Sequence, residues 1–143
     1  MIQVKQISPE ETYEIRKDVL RRNIILTEKN KEDLSITTFH FGGFVDGKLA
    51  GIATFIQNDN DLFEGFQYRL RGMATLDSYQ GKGIGRSVLK ESIKFLKEKN
   101  VKFLWCNART SALNFYKKLG FKAVGTEFDV YLIGPHYVMY IDI

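Results

Sequence analysis

Apolar residues at Ile84, Val88, Leu89, Ile93 and Leu96 recur at helical spacing and draw one apolar stripe. Before them, Tyr68 to Leu76 is rich in β-formers, is bounded by Asp77 and Ser78, and predicts a strand. Upstream, Ile2 to Ile7 alternates apolar and polar residues and predicts a first strand. Glu10 to Arg22 carries Tyr13, Ile15, Val19 and Leu20 at loosely helical spacing, with Pro9 at its start and Ser8 as its cap. Residues 23–35 are polar and irregular. Ile36 to Val45 and Lys48 to Gln57 predict two strands joined by a tight Asp46-Gly47 turn. Asn58 to Asp61 is a second turn, leading into a strand from Phe63 to Leu76.

Asn100 marks the end of the helix, and Val101 to Cys106 is a short apolar run that predicts a buried strand. A helix joins it to the strand before, a connection that suits parallel pairing. Asn107 to Thr110 reads as a loop, with Thr110 or Ser111 capping a further helix. That helix carries Ala112, Phe115, Tyr116 and Leu119, and Gly120 stops it. Phe121 to Leu132 is a strand, Gly134-Pro135 a break, and His136 to Ile141 the last strand. The order β-α-β-β-β-α-β-α-β-β predicts an α/β sandwich. Its central sheet is mixed, mostly antiparallel and flanked by helices, in a single domain over residues 1–143.

Composition narrows the class. Hydrophobic residues make up 44% and charged residues 27% of 143 positions, as in a soluble globular protein with room for a core. One cysteine, Cys106, excludes an internal disulfide and a cysteine-based zinc site; no metal site is expected, and Cys106 reads as a buried small hydrophobe. The opening MIQVKQISPEE has no apolar leader and no run approaches a membrane span, so a cytoplasmic location without membrane association is the expectation. The net charge of +4 is spread along the chain, and the Lys94, Lys97, Lys99 and Lys102 cluster also holds Glu98. It reads as a solvated helix face, and no nucleic-acid partner is expected. The sequence leaves a homodimer open.

Between the Tyr68 strand and the helix lies Gln80-Gly81-Lys82-Gly83-Ile84-Gly85-Arg86. Three glycines in five positions leave backbone N–H groups unshielded at a helix start, where orphan donors and the dipole favour an anion. Lys82 and Arg86 add positive charge, and the whole describes a phosphate cradle. A Walker A loop fails because Arg86 and Ser87 follow Gly85. A dinucleotide fingerprint fails because the third glycine comes one residue early and no acidic residue ends the strand that follows. A glycine-rich turn that holds no ligand is the plain alternative.

The same run resembles the Q/R-x-x-G-x-G/A motif of the GNAT superfamily of acyl-CoA-dependent N-acetyltransferases. Further on, Ala112-Leu113-Asn114-Phe115-Tyr116-Lys117-Lys118-Leu119-Gly120-Phe121 is similar to the family's A-x-x-x-Y-x-K-x-G-F pattern, at the family's distance from the first motif. The runs Trp105-Cys106-Asn107-Ala108-Arg109 and Gly134-Pro135-His136-Tyr137 resemble a branch of small bacterial-type members. The resemblance implies acetyl-CoA as co-substrate and a small-molecule or peptide amine as acceptor. It implies that the loop from Gln80 to Arg86 holds the pyrophosphate. It also implies that backbone groups at Met73, Ala74 and Thr75 hold the pantetheine arm, where the strand splays from its neighbour. Residues 23–35 would then help shape the acceptor side.

Acyl transfer needs a donor for the thioester carbonyl, a proton for the leaving thiolate and a base for the amine. Tyr116 is the candidate acid, since a phenol of pKa about 10 donates to a thiolate whose acid has a pKa of about 8.5; a core tyrosine is the plain alternative. Asn107 is a candidate contact to the cofactor arm. Arg109 stands where many members carry Asn and is a candidate phosphate contact. Some members use a Glu four residues before the position of Met73; here that residue is Arg69. His40, His136, Glu64 and an ordered water remain open as the base or as acceptor-side groups. A non-catalytic acyl-CoA-binding or protein-interaction domain on the same fold is the rival reading, favoured by Arg69 and opposed by Tyr116.

Overall fold

The computed structural model describes all 143 residues. Seven strands form one sheet in the order β1-β2-β3-β4-β5-β7-β6, from β1 (Ile2–Gln6), β2 (Phe39–Val45), β3 (Lys48–Ile56), β4 (Gln67–Thr75), β5 (Phe103–Arg109), β6 (Lys122–Val130) and β7 (Gly134–Asp142). All neighbours are antiparallel except β4 and β5, which are parallel as a crossover through helix α2 (Ile84–Glu98) requires. The β2–β3 hairpin turns on Asp46 and Gly47, both at positive φ (49° and 81°), the twist that a two-residue hairpin needs.

Side-chain alternation along β3 explains the layering. Ala53 and Phe55 join the main core with Ile84, Val88, Leu89 and Leu96 of α2, while Ile52 joins a second cluster with Ile15 and Ala74. The helical segment 10–20 therefore covers the sheet face opposite α2. It is irregular: a 3-10 turn (Glu10–Thr12), one α-turn α1 (Tyr13–Ile15) and a π-turn (Arg16–Leu20). Its start is closed reciprocally, with the Ser8 N–H donating to Glu11 Oε1 (2.9 Å) and the Glu11 N–H to Ser8 Oγ (3.4 Å). Helix α3 (Leu113–Lys118) lies on the α2 side, where Tyr116 and Phe121 enter the main core.

Three sequence expectations are corrected. The strand after α2 does not end at Cys106 but continues through Asn107 and Arg109, paired with Val138 and His136 of β7. Thr110 does not cap α3: its hydroxyl donates to Glu127 Oε2 at 2.8 Å. Gly134-Pro135 is no break, because β7 begins there and the turn falls on the preceding residues, with Leu132 at φ 64°. Pro135 pairs only with Asp129 of β6, and pairing with β5 starts at His136. A proline is tolerated at that strand end.

Candidate active site

β4 and β5 pair at only three positions: Gln67 with Phe103, Tyr68 with Leu104 and Arg69 with Trp105. Both strands run on, to Thr75 and Arg109, with no further pairing between them. The sheet is therefore split from Arg69 onward, and one edge of β4 is left open. A bulge accompanies the split. Thr54 pairs with Arg71 and Ile52 with Ala74, so Gly72 and Met73 together oppose Ala53. Gly72 has φ +65°, and a Cβ there would stand 3.1 Å from Arg16 Nε. Both the left-handed backbone and the close approach of Arg16 favour glycine at this position.

Alternation assigns the side chains around the split. Tyr68, Leu70, Leu104, Cys106 and Ala108 face the main core. Arg69, Arg71, Asn107 and Arg109 consequently face the side of segment 10–20. His136, opposite Arg109 in register, shares that face. These residues line a first cleft of about 350 Å³, which also takes in Arg16 and Arg21. The chain has seven arginines and fourteen lysines; five of the arginines line this cleft, and no lysine, aspartate or glutamate does.

A second cleft, of about 660 Å³, lies at the start of α2. Met73, Ala74, Thr75, Gln80, Gly81, Gly83, Ile84, Gly85 and Arg86 line it. Gly81 and Gly83 sit at φ 76° and 80° with nothing within 4 Å of a built Cβ, so the backbone is bare. Gly83 is the N-cap and supplies no side-chain cap; the bond from the Ser87 N–H to the Gly83 carbonyl (3.0 Å) is a backbone one. The N–H groups of the first turn are left to an external acceptor. Arg86 has no carboxylate within 4.0 Å. Gln80 ties the loop to the strand end, its Nε2 donating to the Thr75 carbonyl at 3.3 Å. Lys82 is exposed, its Nζ 5.5 Å from the Tyr79 ring centroid, and does not line the cleft.

The two clefts share Val19, Met73, Ala112 and Tyr116. Tyr116 is held edge-on by Phe115 and Phe121, with centroids at 5.1 and 5.3 Å, and its hydroxyl has no hydrogen-bond partner within the chain. Burial raises the Tyr116 pKa far above that of an ordinary phenol, the Cys106 side chain adds to the rise, and Arg109 opposes it. Burial likewise pushes the Cys106 thiol up to about 12, so it stays protonated.

The remaining candidates separate clearly. Asn107 and Arg109 line the first cleft and not the second. Arg109 Nη2 donates to the Leu20 carbonyl at 3.2 Å, which ties it to segment 10–20. His136 lies in the same cleft, 5% exposed, with Nδ1 2.7 Å from the Gly134 carbonyl. A carbonyl only accepts, so Nδ1 carries the proton and Nε2 keeps its lone pair in the neutral ring. His40 lines neither cleft. Its Nε2 donates to the Asp33 carbonyl (3.0 Å), while Thr54 Oγ1, which accepts from Arg16 Nη2 (2.7 Å), donates to Nδ1 (2.8 Å). Glu64 is exposed before β4, away from the split. No three His, Cys, Asp or Glu side chains come together as a metal site.

Sequence reasoning missed Arg16, Arg21 and Arg71. The available signal was the partition of arginine from lysine and, for Arg71, its two-residue spacing from Arg69 on a strand.

The site is thus a mostly antiparallel sheet opened at its one parallel pair, β4 and β5, beside the glycine-rich start of α2. The sequence profile of the Acetyltransferase (GNAT) family matches residues 2–121, and the chain belongs to that family. It is 44% identical over 142 residues to the uncharacterized N-acetyltransferase YitI of Bacillus subtilis (strain 168), covering 98% of this chain and 95% of that one. Among solved structures, Escherichia coli ElaA superposes with a TM-score of 0.81 at 19% identity, covering 98% and 99% of the two chains. An acyl-CoA N-acyltransferase from Pseudomonas aeruginosa superposes with a TM-score of 0.78 at 17% identity, covering 98% and 99%. These two likenesses speak for the fold. No helix is long and apolar enough to cross a membrane.

Proposed function

We propose that the chain transfers an acetyl group from acetyl-CoA to a primary amine by direct attack within a ternary complex. The observation that carries this reading is the split between β4 and β5 beside the start of α2, with Tyr116 lining both clefts there. When bound, acetyl-CoA supplies an activated thioester. The residues present fit it. The uncapped first turn of α2, bare glycines and unpaired Arg86 suit a pyrophosphate. The open edge of β4 at Met73, Ala74 and Thr75 offers backbone groups to an extended amide-bearing arm, as a sheet edge does to an added strand.

The reaction forms one C–N bond and breaks one C–S bond. Tyr116 Oη gives a proton to the departing sulfur, and burial keeps the phenol protonated until then. The same dry junction penalises thiolate and phenolate alike, so the raised phenol does not by itself forbid the transfer. His136 Nε2 offers a lone pair for the amine's proton from within the first cleft. His40 is committed to its buried network and Glu64 lies apart.

Two measurements test the reading together. Acetyl-CoA is expected to raise the Tm, and amines to trigger release of free thiol. Stabilisation by acetyl-CoA without thiol release from any amine would make the chain a non-catalytic acyl-CoA-binding domain.

A further inference from the structure

The first cleft is positively charged beyond what its own structure neutralises. Asp33 accepts from Arg16 through both carboxylate oxygens, at 2.7 and 3.0 Å, and Glu32 Oε1 stands 3.8 Å from Arg71 Nη1. Arg21, Arg69 and Arg109 have no carboxylate within 4.0 Å. The Leu20 carbonyl draws two of them together, accepting from Arg21 Nη1 and from Arg109 Nη2, both at 3.2 Å. Arg69 Nε is buried with no partner in the chain. Burial, followed by the repulsion of Arg109, Arg71 and Arg16, lowers the Arg21 pKa; burial and Arg71 do the same for Arg69, prevailing over the opposing pull of Glu32 and Cys106. Guanidinium forks match the planar oxygens of carboxylate and phosphate. Convergence of like charges without such an anion is unfavourable.

We propose that the acetyl acceptor is a small amine carrying a carboxylate or phosphate, and that Arg69, Arg109 and Arg21 hold that anionic group in the first cleft. This rests on the transferase reading above and names the substrate class of that same site. It follows that amine and anionic group enter together from the segment 10–20 face, while the thioester comes from the α2 face through the split. The surrounding guanidiniums also disfavour an ammonium, which helps the amine shed its proton. By the same field the cleft rejects a polycation. Its volume of about 350 Å³ is that of a small-molecule site.

The test compares matched acceptors by thiol release from acetyl-CoA: alanine against alaninamide, O-phosphoethanolamine against ethanolamine, and spermidine as the polycation. In at least one pair the acidic member should have a kcat/KM about 10- to 100-fold above its neutral partner, as charge-assisted bonds to an anion warrant. The pair that responds tells carboxylate from phosphate. Arg69→Gln with Arg109→Gln should erase the preference. Equal or better turnover of the neutral members or of spermidine would overturn the proposal, as would a preference that survives the double substitution. Thermal shift of the cofactor-free chain is the second readout. The same acidic member should raise the Tm of the wild-type chain and leave the double variant unmoved; no rise and no preference together overturn the proposal. A thermal rise without thiol release from any amine would instead sink the transferase reading and leave the anion preference standing.

Discussion

Arg69 and Trp105 are the last residues paired between β4 and β5, and the Arg69 guanidinium lies over the Trp105 ring, 5.1 Å from its centroid. The stack closes the narrow end of the split. The indole is anchored in turn, its Nε1–H donating to the Asn58 carbonyl at 2.8 Å. The cation–π contact and the anchor fix where the strands part, and Arg69 is thereby the arginine at the head of the first cleft.

That pairing gives an optical prediction. Trp105 is the chain's one tryptophan. An anion bound at Arg69 changes the charge over the indole, so titration with an accepted acidic amine should change Trp105 emission saturably. In Arg69→Gln the change should vanish. An unaltered response in that variant would place the bound anion elsewhere.

At the second cleft, Gly83→Glu sets a carboxylate where the first-turn N–H groups point. A built Cβ meets nothing within 4 Å, so the penalty to folding is the left-handed backbone alone, about 1–2 kcal/mol. Thermal stabilisation by coenzyme A should be abolished in the folded variant. Gly83→Asn, which tolerates this conformation and adds no charge, should retain most of it. A full shift in Gly83→Glu would remove the glycine loop from the site.

Tyr116→Phe keeps the ring between Phe115 and Phe121 and deletes one oxygen that has no partner in the chain. Stability should barely change. If the hydroxyl protonates the leaving thiolate, kcat should fall by about 10²–10⁴, with much less change in acetyl-CoA affinity, because the proton is needed only as the C–S bond breaks. Near-full turnover would make Tyr116 a core residue and give the acid role to water.

The strand–loop–helix unit around α2 was legible because its periodicity is strong and local: Ile84, Val88, Leu89 and Leu96 are all buried as the spacing implies. The parallel pairing of β4 and β5 followed from the crossover. Arg109 was legible as a departure from the family but not in its placement. With the strand expected to stop at Cys106, alternation could not be carried to residue 109, which belongs with Asn107 on the segment 10–20 face. Arg16 was out of reach altogether. Its partner Asp33 lies 17 residues away in an irregular stretch, and Thr54 lies 38 away on β3. Only the assembled sheet joins them.

That buried cluster carries the last prediction, which concerns stability and acid. Burial alone would raise the Asp33 carboxyl, yet the Arg16 guanidinium, the Asn30 N–H and His40 hold it below its ordinary value. Burial lowers the His40 pKa, against the opposing pull of the Asp33 carbonyl and carboxylate. Both folded-state values lie below the unfolded ones, so the unfolded chain binds more protons and acid favours it. The His40 contribution is full above about pH 6.5 and is lost as the pH falls below that value toward its folded pKa. The Asp33 contribution is full above about pH 3.9 and is lost as the pH falls through its folded value. Urea unfolding should therefore show stability declining from about pH 6.5 downward, then more steeply below about pH 4. His40→Gln should flatten the first decline and leave the second. Asp33→Ala should remove the second and, by leaving the Arg16 charge buried without its partner, cost about 3–5 kcal/mol at neutral pH. An Asp33→Ala chain as stable as wild type would mean that Arg16 reaches solvent, and the buried network would lose its role in fixing segment 10–20 beside the split.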